Sequence, residues 1–64
     1  MTPDLKRDIE RQIRFHRNRR AEEDTRRKES TLDSAEYQRA MTLLNYHDGA
    51  IDALEAVVKK WWGN

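Results

Sequence analysis

Residues 37–61 read YQRAMTLLNYHDGAIDALEAVVKKW, and their spacing decides the fold. An apolar or aromatic residue, or one histidine, recurs at alternating steps of three and four: Tyr37, Ala40, Leu44, His47, Ile51, Leu54, Val58, Trp61. Those steps place side chains on one face of a helix that turns every ~3.6 residues. A second row at Leu43, Ala50 and Val57 widens the face beyond what a two-helix seam needs. The pattern predicts a helix that packs on another helix and keeps apolar surface to spare.

The ends of this helix carry their own signals. Asp33 as N-cap with Glu36 three residues on makes a capping box, and Leu32 with Tyr37 makes the matching hydrophobic staple. Lys59 and Lys60 suit the negative end of the helix dipole, and Gly63 suits a left-handed C-terminal cap. The expected span is about 34–62. Asp48-Gly49 is also a turn signal, but the heptad phase crosses it without a slip, so one continuous helix is expected. Gly49 then marks either a close backbone approach or a tolerated surface glycine.

Upstream, Thr2 reads as an N-cap, Pro3 as the first helical residue and Asp4 as the acid at the positive dipole end. Leu5, Ile9, Ile13 and His16 form a narrow stripe with Phe15 off its edge. From Arg17 to Glu29 the only apolar side chain is Ala21. Opposite charges nevertheless lie four apart at Arg19/Glu23, Arg20/Asp24, Glu22/Arg26, Glu23/Arg27 and Asp24/Lys28, each worth a few tenths of a kcal/mol. Helix 1 is expected over about 3–28. The connection at 29–33 is short enough to force the helices antiparallel. Mirroring about residue 31 pairs Leu5 with Val58, Ile9 with Leu54, His16 with His47 and Arg19 with Leu44. Tyr37, Ala40 and Leu44 then face the charged half of helix 1, which predicts poor cover and a partner.

Composition sets the limits. Sixty-four residues make one small domain near the lower size for folding alone. With 36% hydrophobic and 39% charged residues, solvated helices are favoured over a thick core. There is no cysteine, which removes disulfides and thiolate metal sites. Pro3 and the early acids do not suit a signal peptide, and no apolar run approaches a membrane span, so a soluble cytoplasmic protein is expected. The net charge of +1 divides into ten Lys/Arg against seven Asp/Glu in residues 1–30 and three against five thereafter. Halves of opposite sign align an antiparallel hairpin or two protomers.

Candidate chemistry is sparse. His16 and His47 face each other, but a zinc site needs three or four ligands, and Asp48 is turned about 100° from His47. A polar layer that sets register and senses pH is the better reading, and no metal or cofactor is expected. No phosphate loop or nucleophile–base pair is present, so no enzymatic activity is expected. Arg7, Arg11, Arg14 and Arg17 line one side of helix 1 as candidate nucleic-acid contacts. The expected protein interface comprises Tyr37, Leu44, Ile51, Leu54, Val58, Trp61 and Trp62. There Trp61 continues the seam over Leu5 and Trp62 anchors a second subunit. Lys59 and Lys60 beside two indoles fall short of a membrane-surface helix.

Tyr46-His47-Asp48-Gly49-Ala50-Ile51-Asp52-Ala53-Leu54 resembles the second helix of small helical-hairpin accessory proteins of tailed bacteriophages, with an aromatic, a glycine and an Ile-x-x-Leu step. The basic residue often found before that glycine is Asp48 here. The resemblance implies a virion component packed on larger subunits, or an inhibitor docked on a host protein. The overall expectation is an all-α antiparallel two-helix hairpin that assembles into a bundle or packs on a larger protein. Its partners are itself, a larger protein or, as the alternative, nucleic acid, in the host cytoplasm or the virion.

Overall fold

The computed structural model describes residues 3–63, with side chains from Asp4 onward; the expected Thr2 cap lies outside the described residues. Two helices, α1 (Pro3–Glu29) and α2 (Ala35–Trp61), form an antiparallel hairpin. Neither is interrupted, and α2 passes through Gly49 as one helix. A Cβ added at Gly49 would have no neighbour within 4 Å, so no close approach within the hairpin requires the glycine.

The connection differs from the expected one by a single residue. Ser34, not Asp33, caps α2: its backbone is extended and its Oγ accepts from the Tyr37 N–H at 3.0 Å. Asp33 instead takes the left-handed conformation, φ 70°, a role that aspartate tolerates better than most residues. The shift dissolves the capping box, since Glu36 is now the second helical residue. It also undoes the staple, leaving Leu32 69% exposed. At the far end Trp62 is the cap and Gly63 does not adopt positive φ. Gly63 matters through closeness, because a Cβ there would lie 2.8 Å from the Lys59 carbonyl oxygen.

The core is a thin seam of Ile13 from α1 and Ala40, Leu44 and Ile51 from α2. The expectation that Leu44 is poorly covered is corrected: it is 9% exposed, Ala40 is fully buried and Tyr37 is half-buried. The sequence stripe on α1 does not stop at His16. Its heptad continues through Arg20, Glu23 and Arg27, and Glu23, 1% exposed, lies in the seam. Polar residues thus do the covering that aliphatic ones do elsewhere, their methylenes serving as apolar surface. The Asp24 carboxylate, and after it the Tyr37 hydroxyl, hold the Arg27 guanidinium above its ordinary pKa.

The halves of opposite charge meet as expected. Arg17 donates to Glu55 at 2.7 Å and Arg20 to Asp48 across the hairpin. Both partners lie about one and a half to two and a half turns nearer the open end than simple mirroring allows. Side chains lean toward the N-terminus of their own helix, so in an antiparallel pair long ones meet beyond the mirror position. The short imidazoles of His16 and His47 keep the mirrored pairing. Within α1, Lys28 pairs with Asp24 four residues away, while Arg19–Glu22, Arg26–Glu23 and Arg27–Asp24 close at three. The other i,i+4 options are lost because Arg20 reaches across to Asp48, Glu23 turns into the seam and takes Arg26, and Arg19 takes Glu22.

The rod measures 45 × 15 × 14 Å and has a radius of gyration of 14.5 Å. About 10.7 Å is expected for a compact chain of this length. Its accessible surface is 5019 Å², against roughly 4,300 Å² for a compact monomer of this mass. With no third layer, each helix keeps two lateral flanks.

Candidate interaction surfaces

The two flanks differ in chemistry. One is aromatic and built around the histidine layer. His16 Nδ1 and His47 Nδ1 lie 2.8 Å apart, so one ring must donate and the other accept. His47 is 6% exposed. Its pKa is pushed below the ordinary 6.5 by burial, then by His16 and Arg19, with Glu23 and Glu22 pulling the other way. The ring that carries its proton on Nδ1 donates and the other accepts, so the contact holds only while at least one of the two Nδ1 atoms is unprotonated. Around this bond the rings stack edge-to-face: Phe15 on His16 at 5.3 Å, His16 on Tyr46 at 5.9 Å and Tyr46 on His47 at 5.0 Å between centroids.

Phe15 is 56% exposed and Tyr46 61% exposed, which makes the cluster a surface feature with a buried root. By helical rotation, Leu43, Ala50, Val57 and Trp61 lie on the same side of α2 as Tyr46, with Leu5 on the same side of α1. Val57, Trp61 and Leu5 are also exposed. The apolar strip from Leu43 to Trp61 is about 27 Å long.

The tryptophans exchange their expected roles. Trp61 is 54% exposed, with the Lys60 ammonium 5.5 Å from its ring centroid, and Trp62 is the half-buried one. A straight helix gains about 20° on a strict heptad with each repeat. Trp62 stands eighteen residues, five whole turns, after Leu44 and shares its direction, while Trp61 has rotated about 100° out of the seam. Of the other expected interface residues, Leu44 and Ile51 are buried inside the hairpin, while Tyr37, Leu54 and Val58 are half-buried. The outward apolar surface keeps Trp61 and is otherwise supplied by Phe15, Tyr46 and Val57, none of which the expected interface included. The signal was the second row, whose phase points away from the first.

The opposite flank is charged. Arg14, Arg17, Lys59, Glu10 and Glu55 line an open groove of about 540 Å³ between the helices, with Val58 in its wall. Of the four arginines aligned as phosphate contacts, Arg17 is held by Glu55 and Arg11 lies 3.7 Å from Asp8; Arg7 and Arg14 are exposed. Carboxylates therefore interleave the row and weaken its field. Among the described residues no group of three or more His, Cys, Asp or Glu is placed to hold a metal, and no helix is long and apolar enough to cross a membrane.

The histidine layer and the Glu23 side chain are the polar content of the seam. Glu23 Oε1 accepts from Arg26 at 2.8 Å, while Oε2 is buried and lacks a hydrogen-bond partner among the described residues. No protein-family model, curated protein or solved structure matches the chain. The arrangement itself, an elongated hairpin with one aromatic and one charge-paired flank, is what carries functional information.

Proposed function

We propose that the chain is a non-enzymatic protein–protein interaction or assembly module that docks through its aromatic flank. The observation that supports this is the contrast between four buried apolar residues and a line of large exposed ones, Leu5, Phe15, Tyr46, Val57 and Trp61, on one side of the rod. A small soluble chain gains more by covering that strip than by any rearrangement within two helices, and tyrosine and tryptophan are the side chains most often central to interfaces. The resemblance of Tyr46–Leu54 to phage hairpin proteins suggests the setting: a virion component, or an inhibitor acting on a host protein in the cytoplasm.

Nucleic-acid binding through Arg7, Arg11, Arg14 and Arg17 ranks second because Asp8 and Glu55 sit in the same row and engage two of the four.

A photo-crosslinking amino acid placed at Phe15 or Val57, on the aromatic flank, or at Glu10 or Ala21, on the other, separates these readings in cells making the protein. Protein adducts from the first pair alone are expected, to a second copy or to another protein. Adducts of equal yield from both flanks, or none from Phe15 and Val57, would overturn the reading. Anisotropy of labelled duplex and single-stranded probes that rises at about 150 mM salt would transfer it to nucleic acid.

A further inference from the structure

The aromatic strip is built to match itself in reverse. Along α2 the outward row runs Leu43, Tyr46, Ala50, Val57, Trp61, with Tyr46, Val57 and Trp61 exposed and Leu43 and Ala50 half-buried. Leu43 and Trp61 stand nine residues either side of Asp52, and Tyr46 and Val57 are nearly as symmetric. When a second α2 is laid on the first in the opposite direction, Trp61 of each copy falls over Leu43 of the other, and Tyr46 falls over Val57. Each large ring meets a smaller aliphatic, the large-on-small complement that close packing needs. Ala50, near the middle, lets the backbones approach.

Laid in the same direction, a two-fold pair would turn α1 of each copy onto α2 of the other, setting the exposed Phe15 ring against the exposed Tyr46 ring.

The charges on that flank select the same orientation. Arg19 lies toward the turn on the same side of α1 as Phe15, and so do Arg26 and, on α2, Arg39; Asp8 lies toward the open end. Copies side by side in the same direction would set α1 of each over α2 of the other and bring Arg26 beside Arg39. Reversal brings Asp8 of one copy within about one and a half turns of Arg19 of the other, and both side chains lean across that gap. The net charge of +1 leaves little overall repulsion between copies. A strip about 27 Å long and two helices, about 20 Å, wide covers roughly 500–600 Å² on each copy. The total of about 1,000–1,200 Å² reaches the lower bound for specific interfaces.

We infer that the partner seated on the aromatic flank is a second copy of this chain, packed in reverse so that its turn projects about 20 Å past the first copy's open end and the overlapping halves make a two-fold, four-helix bundle. The inference rests on the protein-interaction reading and names its occupant. A heterologous protein on the same strip is the competing outcome.

The absence of cysteine allows a single label site. Leu32→Cys lies at the turn, 69% exposed and away from the strip, and a nitroxide there reports orientation by pulsed dipolar spectroscopy. The two turns are about 60 Å apart in the reversed dimer and about 20 Å apart in a same-direction dimer. Sedimentation equilibrium from about 5 to 200 µM should show twice the 7.7 kDa chain mass at the upper end. Trp61→Ala and Tyr46→Ala should each weaken self-association at least tenfold while far-UV circular dichroism stays helical, and Asp52→Asn should leave it unchanged.

A wild-type monomer at the highest concentration, or a turn-to-turn distance near 20 Å, overturns the inference without reference to any variant. Crosslinks from Phe15 and Val57 to a different protein, with a wild type that stays monomeric, would sink the second copy yet leave the docking flank standing. Loss of those crosslinks together with a monomeric wild type would sink both.

Discussion

Replacing Glu23 by methionine should stabilise the hairpin. The side chain is 1% exposed; one carboxyl oxygen is held by Arg26 at 2.8 Å and the other has no partner among the described residues. Leaving a buried acceptor unmatched costs about 1–3 kcal/mol. Methionine has nearly the same length and adapts to irregular gaps, so Glu23→Met removes that cost without opening a cavity. It also forfeits the ion pair with Arg26, a group 56% exposed at its side chain, which is worth at most about 1 kcal/mol. The net expectation is a gain of about 1–2 kcal/mol, or roughly 5–15 °C in midpoint for a chain this short.

Urea and thermal unfolding followed by circular dichroism at 222 nm, at one fixed protein concentration, measure it directly. Arg26→Ala provides the opposing control: it strips the remaining partner from a buried carboxyl and should cost about 1–3 kcal/mol. A Glu23→Met protein less stable than wild type by 1 kcal/mol or more would refute the reasoning, since it would mean that the carboxyl contributes more to the seam than its burial costs.

Three further outcomes follow from the same coordinates. Because burial, His16 and Arg19 depress His47, the unfolded chain binds protons more readily than the folded one. The stability that His47 contributes is therefore complete above its ordinary 6.5 and is lost as pH falls through the lower folded value; two protonated Nδ1 atoms cannot share the 2.8 Å contact. The thermal midpoint should be level above neutrality and decline below it, a decline that His47→Leu should blunt; a midpoint that rises on acidification contradicts the assignment. Gly49→Ala, in open space inside a helix, should stabilise by about 0.5–1 kcal/mol with no change in self-association, as read by unfolding and sedimentation. At the turn, Ser34→Ala should cost about 1 kcal/mol, whereas Asp33→Gly, which relieves the positive φ, should be neutral or stabilising in the same urea titration; the reverse order would restore Asp33 as the cap.

Much of this protein was legible in order of residues alone. The three-four recurrence of Tyr37 to Val58, the break at residues 29–33 and the opposite charge of the halves determined two long helices, their antiparallel pairing and the contact of His16 with His47, because these depend on periodicity and on short-range connection lengths. The continuation of α2 through Gly49 was legible for the same reason. The tertiary structure alone decided which residues go inside. Trp62 displaces Trp61 because a straight helix drifts from the heptad, Arg17 reaches Glu55 because side chains on antiparallel helices lean past each other, and Glu23 enters the seam because helix 1 offers nothing more apolar at that level. Periodicity sets a direction for every side chain on its own helix; only the neighbouring helix determines which of those directions is closed to water.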